Sequence, residues 1–218
     1  MLDLTPDKKD KSNDVFTCTL SEDGVIKGDR MIISNDYAAF DGRENYKSYN
    51  SEDEYLKSIE GSTKGLSIET YSKTNLDSID LAFVEKMNIV LKNKVTKSGN
   101  QMYINPFFFD KYDENPFKAI ERLYPVDFTT PIDSKIALSM TIPAGWEISE
   151  LPKSIRMGLT DKSAGITYAI SSTGNQIQLS FRLNINKPIY IQTEYAELKM
   201  FFDALVKKQN ELIVLRKI

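Results

Sequence analysis

The amino-acid sequence predicts a mainly β protein: antiparallel, sandwich-like units interrupted by two helices, at about residues 51–60 and 194–209. Three observations carry this reading. Apolar residues recur with a period of two through several runs, turn-forming residues separate those runs, and only two segments show a helical pattern.

Taken in chain order, Val15–Leu20 puts Phe16, Cys18 and Leu20 on one strand face. Ser21-Glu-Asp-Gly24 then supplies a turn into a partner strand over Val25–Ile33. The segment 51–60 opens on Ser51, a good N-cap, followed by acidic residues that suit a helix N-terminus, and Gly61 is placed to end it. Further strands are expected at 65–71, 83–92 and 101–104, with Ser98-Gly-Asn100 as the turn before the last. Residues 103–128 hold eight aromatics, Pro106, Pro116 and Pro125 punctuate the same stretch, and Pro131 follows just beyond it. Proline at that density disfavours helix or central strand, so 105–131 reads as an ordered connection pinned by aromatics.

Beyond it the alternation is clean. Ile136, Leu138, Met140 and Ile142 share a face, as do Ile166, Tyr168 and Ile170, and then Ile177, Leu179, Phe181, Leu183 and Ile185. One apolar face at period two is what an antiparallel sheet over a core requires. Ser172-Thr-Gly-Asn175 makes a hairpin of the last two runs. In 194–209, Tyr195, Leu198, Phe202 and Leu205 recur three or four apart. Acids sit at its start and Lys207 and Lys208 at its end, matching the helix dipole. Ile213-Val-Leu215 reads as a closing strand. The expected organisation is two β-rich units, 1–105 and 106–218, or else one continuous unit with 105–131 as its internal strap.

Composition bounds the chemistry. With 41% hydrophobic residues among 218, the chain can bury a core, and 28 basic against 31 acidic residues leave a net charge of −3. There is no histidine, which removes Ser-His-Asp and Cys-His catalysis, His-ligated zinc and imidazole acid–base chemistry within this chain. A single cysteine excludes an internal disulfide, and the apolar neighbours of Cys18 indicate a buried, inert thiol. No catalytic residue, cofactor or metal is assigned. Asp110, Asp113, Glu114 and Asp127 lack the spacing of a calcium loop and read as a solvated acidic segment. The pairs Gly24/Gly28 and Gly61/Gly65 match no phosphate-binding pattern and read as turn glycines. Glu147 and Glu150 flank Trp146 without any mark of a raised-pKa acid, which leaves a carboxylate hydrolase as the surviving enzymatic alternative.

The lysines are dispersed among acids, against nucleic-acid binding, and no apolar run is long enough to span a membrane. The N-terminus lacks the pattern of a signal peptide. The candidate ligand surface comprises Trp146, Tyr112, Arg122 and Tyr124, although Trp146 reads first as a core or edge anchor and only second as a stacking platform.

The run Asn105-Pro-Phe-Phe-Phe109, then Asn115-Pro-Phe-Lys-Ala-Ile-Glu-Arg-Leu-Tyr-Pro-Val-Asp-Phe128, resembles the C-terminal β region of large exported bacterial transglutaminase-like proteins. The resemblance continues through Ile142-Pro-Ala-Gly-Trp146, Glu150-Leu-Pro152, the alternating strands and the ending from Glu194 to Lys217. It reaches back more weakly to Asp23-Gly24, Gly28 and Tyr37-Ala-Ala-Phe-Asp-Gly-Arg43. It implies a domain of unknown function that follows a papain-like core, in the periplasm or at the cell surface. The core's triad needs a histidine, so no catalytic residue carries over. The implied role is a non-catalytic accessory region that braces that core or offers a protein- or glycan-binding surface, and the alternative is a free-standing glycan- or peptide-binding module. Leu2-Asp-Leu-Thr-Pro6 would be the exit from the core, in a segment expected to stay exposed to Asp14.

Overall fold

The computed structural model describes residues 6 and 8–218. The exit segment expected at Leu2–Pro6 therefore lies, apart from Pro6, outside the described residues. The first strands are β1 (Asp10–Leu20) and β2 (Ile26–Asn35), followed by helices α1 (Asp36–Lys47) and α2 (Glu52–Ser62). Then come β3 (Leu66–Thr74), β4 (Phe83–Leu91), β5 (Val95–Ser98), β6 (Gln101–Ile104) and the two-residue β7 (Val126–Asp127). The remainder is β8 (Ile132–Thr141), β9 (Trp146–Glu150), β10 (Ile155–Gly158), β11 (Ala164–Thr173), β12 (Gln176–Ile185), β13 (Ile189–Tyr190), α3 (Tyr195–Gln209) and β14 (Ile213–Lys217). With 45% strand and 19% helix, the chain is mainly β.

Eight strands form one sheet in the order β10-β11-β12-β8-β1-β2-β4-β3. Its pairs are antiparallel except β1 with β8, which run parallel with Phe16 beside Leu138. The sheet therefore continues across position 105/106, because β1 precedes the strap and β8 follows it. A second sheet, β5-β6-β14-β9, and the ribbon β13-β7 complete the strands.

Alternation decides which face is covered. In β12 every second residue from Ile177 to Ile185 is buried and almost all those between are exposed. The same core takes Phe16, Cys18 and Leu20 from β1, Met102 and Ile104 from β6, and Leu198, Phe202 and Leu205 from α3. Burying each of these side chains contributes roughly 1.5–3 kcal/mol. The strap fills the gap between α3 and the sheet: Phe107 meets Phe181 edge-on at 5.1 Å, and Phe117 meets Phe202 at 4.9 Å. The helix over 194–209 packs this way against the core.

Four expectations are corrected. Helix α1, unforeseen, packs on β1, β2 and β4. Gly61 lies inside α2 rather than ending it, and the cap at Thr63 follows two residues later. Gly28 is a strand residue, not a turn glycine: a Cβ there would stand 2.1 Å from the Thr17 carbonyl oxygen. The charged segment before Val15 is not merely an exposed boundary, since β1 begins at Asp10 and Asp14 is buried. Ser51 caps α2 as expected, its hydroxyl accepting from the Glu54 amide at 3.2 Å.

Candidate binding surface

The strap is built around two copies of Asn-Pro-Phe. In each, the asparagine side-chain oxygen accepts from the phenylalanine amide two residues on, at 2.8 Å for both Asn105 and Asn115. That is the Asx turn that asparagine favours. The freed amide nitrogen then grips α3. Asn105 Nδ2 donates to the Gln209 carbonyl and Asn115 Nδ2 to the Lys199 carbonyl, each at 2.9 Å. The Gln209 carbonyl belongs to the last turn of α3, where carbonyls lack intrahelical partners.

Between the second clip and β7 the chain is fastened again. Lys199 Nζ donates to the carbonyls of Lys118 and Ala119, the Tyr195 hydroxyl donates to Ala119, and the Gln192 amide donates to Leu123. The backbone is held while its large side chains face solvent. Ile120 is 90% exposed, Leu123 79% and Tyr124 78%. In the adjoining ribbon Val126 and Tyr190 pair and point inward, so Ile189 and Ile191 alternate outward and are exposed. These five side chains make an apolar ridge displayed on a fastened backbone.

The four residues singled out in the sequence are not brought to one surface. Trp146 is buried in the core on β9, and its indole Nε1 finds no hydrogen-bond partner among the described residues. It is a core anchor at a sheet edge and offers no face for stacking. Tyr112 is half-buried, its ring edge-on to Phe202 at 5.4 Å and its amide donating to the Gln209 side chain. Arg122 and Tyr124 are exposed, and both lie on the loop that carries the ridge. Ile120, Leu123, Ile189 and Ile191 were missed. The signal for the last two was present, because a short alternating run beside a buried Tyr190 must send its neighbours outward.

Reactive chemistry is sparse. Burial pushes the Cys18 thiol up to about 12, leaving negligible thiolate at neutral pH. Asp14 is held by Arg30 through both carboxylate oxygens, with contacts of 2.8 and 3.1 Å, and burial still holds its carboxyl above the ordinary value. Asp110 adds a further contact to Arg30 at 3.2 Å, and the guanidinium lies 3.6 Å from the Phe109 ring centre. Glu85 accepts from the hydroxyls of Tyr55 and Tyr71 at 2.6 and 2.7 Å, and burial followed by the Glu85 charge raises both phenols. Of the acids singled out in the strap, Asp113 pairs with Lys111 and Glu114 with Lys118, both at the surface, and Asp127 accepts from the Thr129 amide. Glu147 pairs with Arg216. Among the described residues no group of three or more His, Cys, Asp or Glu is placed to hold a metal ion. No helix of the described chain is long and apolar enough to cross a membrane.

Comparison with known proteins places this architecture. Residues 100–215 match the family described as a "Domain of Unknown Function with solved-structure structure (DUF3858)". No curated protein matches the chain. Among solved structures, a crystal structure of a "putative protease" from Parabacteroides distasonis is 14% identical with a TM-score of 0.39, over 45% of this chain and 19% of that one. The chain thus spans about a fifth of that protein. The match over 100–215 takes in both Asn-Pro-Phe clips, the ridge and α3, and by it the chain belongs to the DUF3858 family of domains of unknown function.

Proposed function

We propose that this chain is a non-catalytic accessory module of an exported bacterial transglutaminase-like protein, and that it braces the core of that protein through the ridge of Ile120, Leu123, Tyr124, Ile189 and Ile191. The observation that carries this reading is the display of five large apolar side chains on a backbone fastened by α3. Held in solvent, those side chains add nothing to this fold's own stability. Covered by another domain, each would contribute on the order of 1.5–3 kcal/mol. Because the loop is already ordered, little conformational entropy is lost when it docks.

The non-catalytic part of the proposal rests on chemistry. The chain has no histidine, and its one thiol is buried and protonated. The exported location and the identity of the core rest on the sequence resemblance. A free-standing glycan module is the weaker reading, since Trp146 is unavailable for stacking.

Hydrogen exchange on the chain alone and within the full native polypeptide tests the proposal. Slower exchange at 118–124 and 189–192 in the full polypeptide is the expected result. Equal rates in both would mean that the ridge meets nothing there, and the bracing role would fall.

A further inference from the structure

A cleft of about 710 Å³ opens where the start of α1 meets the loops ahead of β4 and β8. Tyr37 and Phe40 of α1 and Ile79 and Leu81 of the loop before β4 wall it, and they are 39, 60, 80 and 55% exposed. This is the reverse of ordinary helix packing. On α1 the buried residues are Ala39 and Arg43, while Tyr37 and Phe40 face solvent and Tyr46 packs edge-on against Tyr55 of α2.

The shape is held from behind. The Arg43 guanidinium donates to the carbonyls of Asn75, Ser78 and Leu81 at 3.0, 2.8 and 2.6 Å, and Asn75 Nδ2 donates to Ala82 at 2.8 Å. The loop bearing Ile79 and Leu81 is thereby tied to α1. On the other side, the Asp10 amide donates to Pro131 and the Tyr37 amide to Lys9.

The charges around this apolar wall are one-sided. Among the described residues Asp10, Asp36, Asp41 and Asp80 line the cleft, against Lys8 alone. Among the described residues none of the four carboxylates takes part in an ion pair. Burial and then repulsion from Asp41 hold the Asp10 carboxyl above its ordinary value. A cation entering the cleft would relieve that repulsion. Such a surface repels nucleic acid and anionic lipid, and its walls ask for an apolar group beside the cation. A polypeptide segment supplies both at once, and the volume lies within the roughly 300–1,000 Å³ of sites that enclose ligands of that size.

We propose that this cleft docks a segment of a partner polypeptide carrying a Lys or Arg beside a large aliphatic or aromatic residue. The cation sits among the four aspartates and the apolar side chain against Phe40, Ile79 and Leu81. None of these residues belongs to the ridge, so the inference stands apart from the bracing role.

Fluorescence anisotropy with two labelled heptapeptides tests it: Gly-Phe-Arg-Leu-Lys-Phe-Gly, and a counterpart with Glu at both cationic positions. The cationic probe should bind and the acidic one should not. Binding should weaken about tenfold or more in an Asp41→Asn/Asp80→Asn variant and in Phe40→Ser, with no drop in the thermal midpoint because all three side chains are exposed. It should also weaken as salt rises from about 0.05 to 0.5 M. Tyr124→Ser, on the ridge, should bind as the native chain does.

Equal binding of both probes, no binding at chain concentrations up to about 1 mM, or indifference to the cleft variants would overturn the proposal. So would tighter binding of heptapeptides tiled from this chain's own sequence, or a dimer in sedimentation that Asp41→Asn/Asp80→Asn dissolves. Either result would identify the occupant as this chain itself.

Discussion

Helix α3 buries Tyr195, Leu198, Phe201, Phe202 and Leu205, whereas α1 buries Ala39 and Arg43 and leaves Tyr37 and Phe40 in solvent. Both pack on the body of the fold, yet their apolar side chains do opposite things. On α3 they hold the core together, gathering the rings of Tyr112, Phe117 and Phe128 around Phe202. On α1 the attachment is largely polar: one guanidinium satisfies three carbonyls, Tyr46 alone of the aromatics packs inward, on Tyr55, and Tyr37 and Phe40 are left over for something else. The contrast teaches that in this protein an apolar residue's role follows from which side of its element is anchored.

Substitutions can break or sharpen that contrast. The largest effect is expected for Phe202→Ala, which should cost about 3–5 kcal/mol in urea unfolding as a buried ring is replaced by a cavity. The matching Phe40→Ala should stay within about 0.5 kcal/mol, as for an exposed site. Similar losses for the two would show that α1 does lean on its aromatics.

Next, Arg43→Ala should cost about 2–4 kcal/mol by stranding the carbonyls of Asn75, Ser78 and Leu81. Arg43→Lys should recover little of it, because an ammonium cannot reproduce the fork. Full recovery by lysine would mean that charge alone, and not geometry, ties the loop down.

A smaller loss, about 1–2 kcal/mol, is expected for Asn115→Ala, which removes both the Asx turn and the bond to Lys199. Hydrogen exchange should quicken around Ile120 in that variant, and unchanged exchange there would show that the clip does not order the ridge.

The smallest effect concerns Asp10. Its carboxyl is raised in the folded state above the ordinary 3.8, by burial and by Asp41. The folded protein then binds the proton more tightly than the unfolded chain, so stability falls as pH rises through that window and the penalty persists above it. Asp10→Asn should raise the thermal midpoint slightly at neutral pH, and the gain should vanish once the pH drops below 3.8. A lowered midpoint at neutral pH would contradict the raised value.

Much of the fold was legible because local periodicity records which face is covered. The β11–β12 hairpin, the Ser51 cap of α2 and the apolar stripe of α3 all emerged from spacing alone. Helix α1 did not, since a helix buried through alanine and arginine has no apolar stripe to find. The parallel pairing of β1 with β8 was equally invisible, because alternation says which face is inward but not which strand lies alongside. Within the strap, Phe107 and Phe117 are core while Ile120 and Leu123 are on display. A proline-rich segment has no period by which to separate them, and only the hydrogen bonds to α3 reveal the difference. Trp146 was a candidate for stacking by its chemistry alone, and its place on an edge strand facing inward settles it as core.

The proposed bracing role requires that this chain works covered by another part of the same polypeptide. The most direct test is the mass of the native protein in its source cells, detected with antiserum raised against this chain. A band well above 24.8 kDa is the predicted result. A single band at 24.8 kDa would contradict the accessory role and leave the exposed ridge to a separate partner.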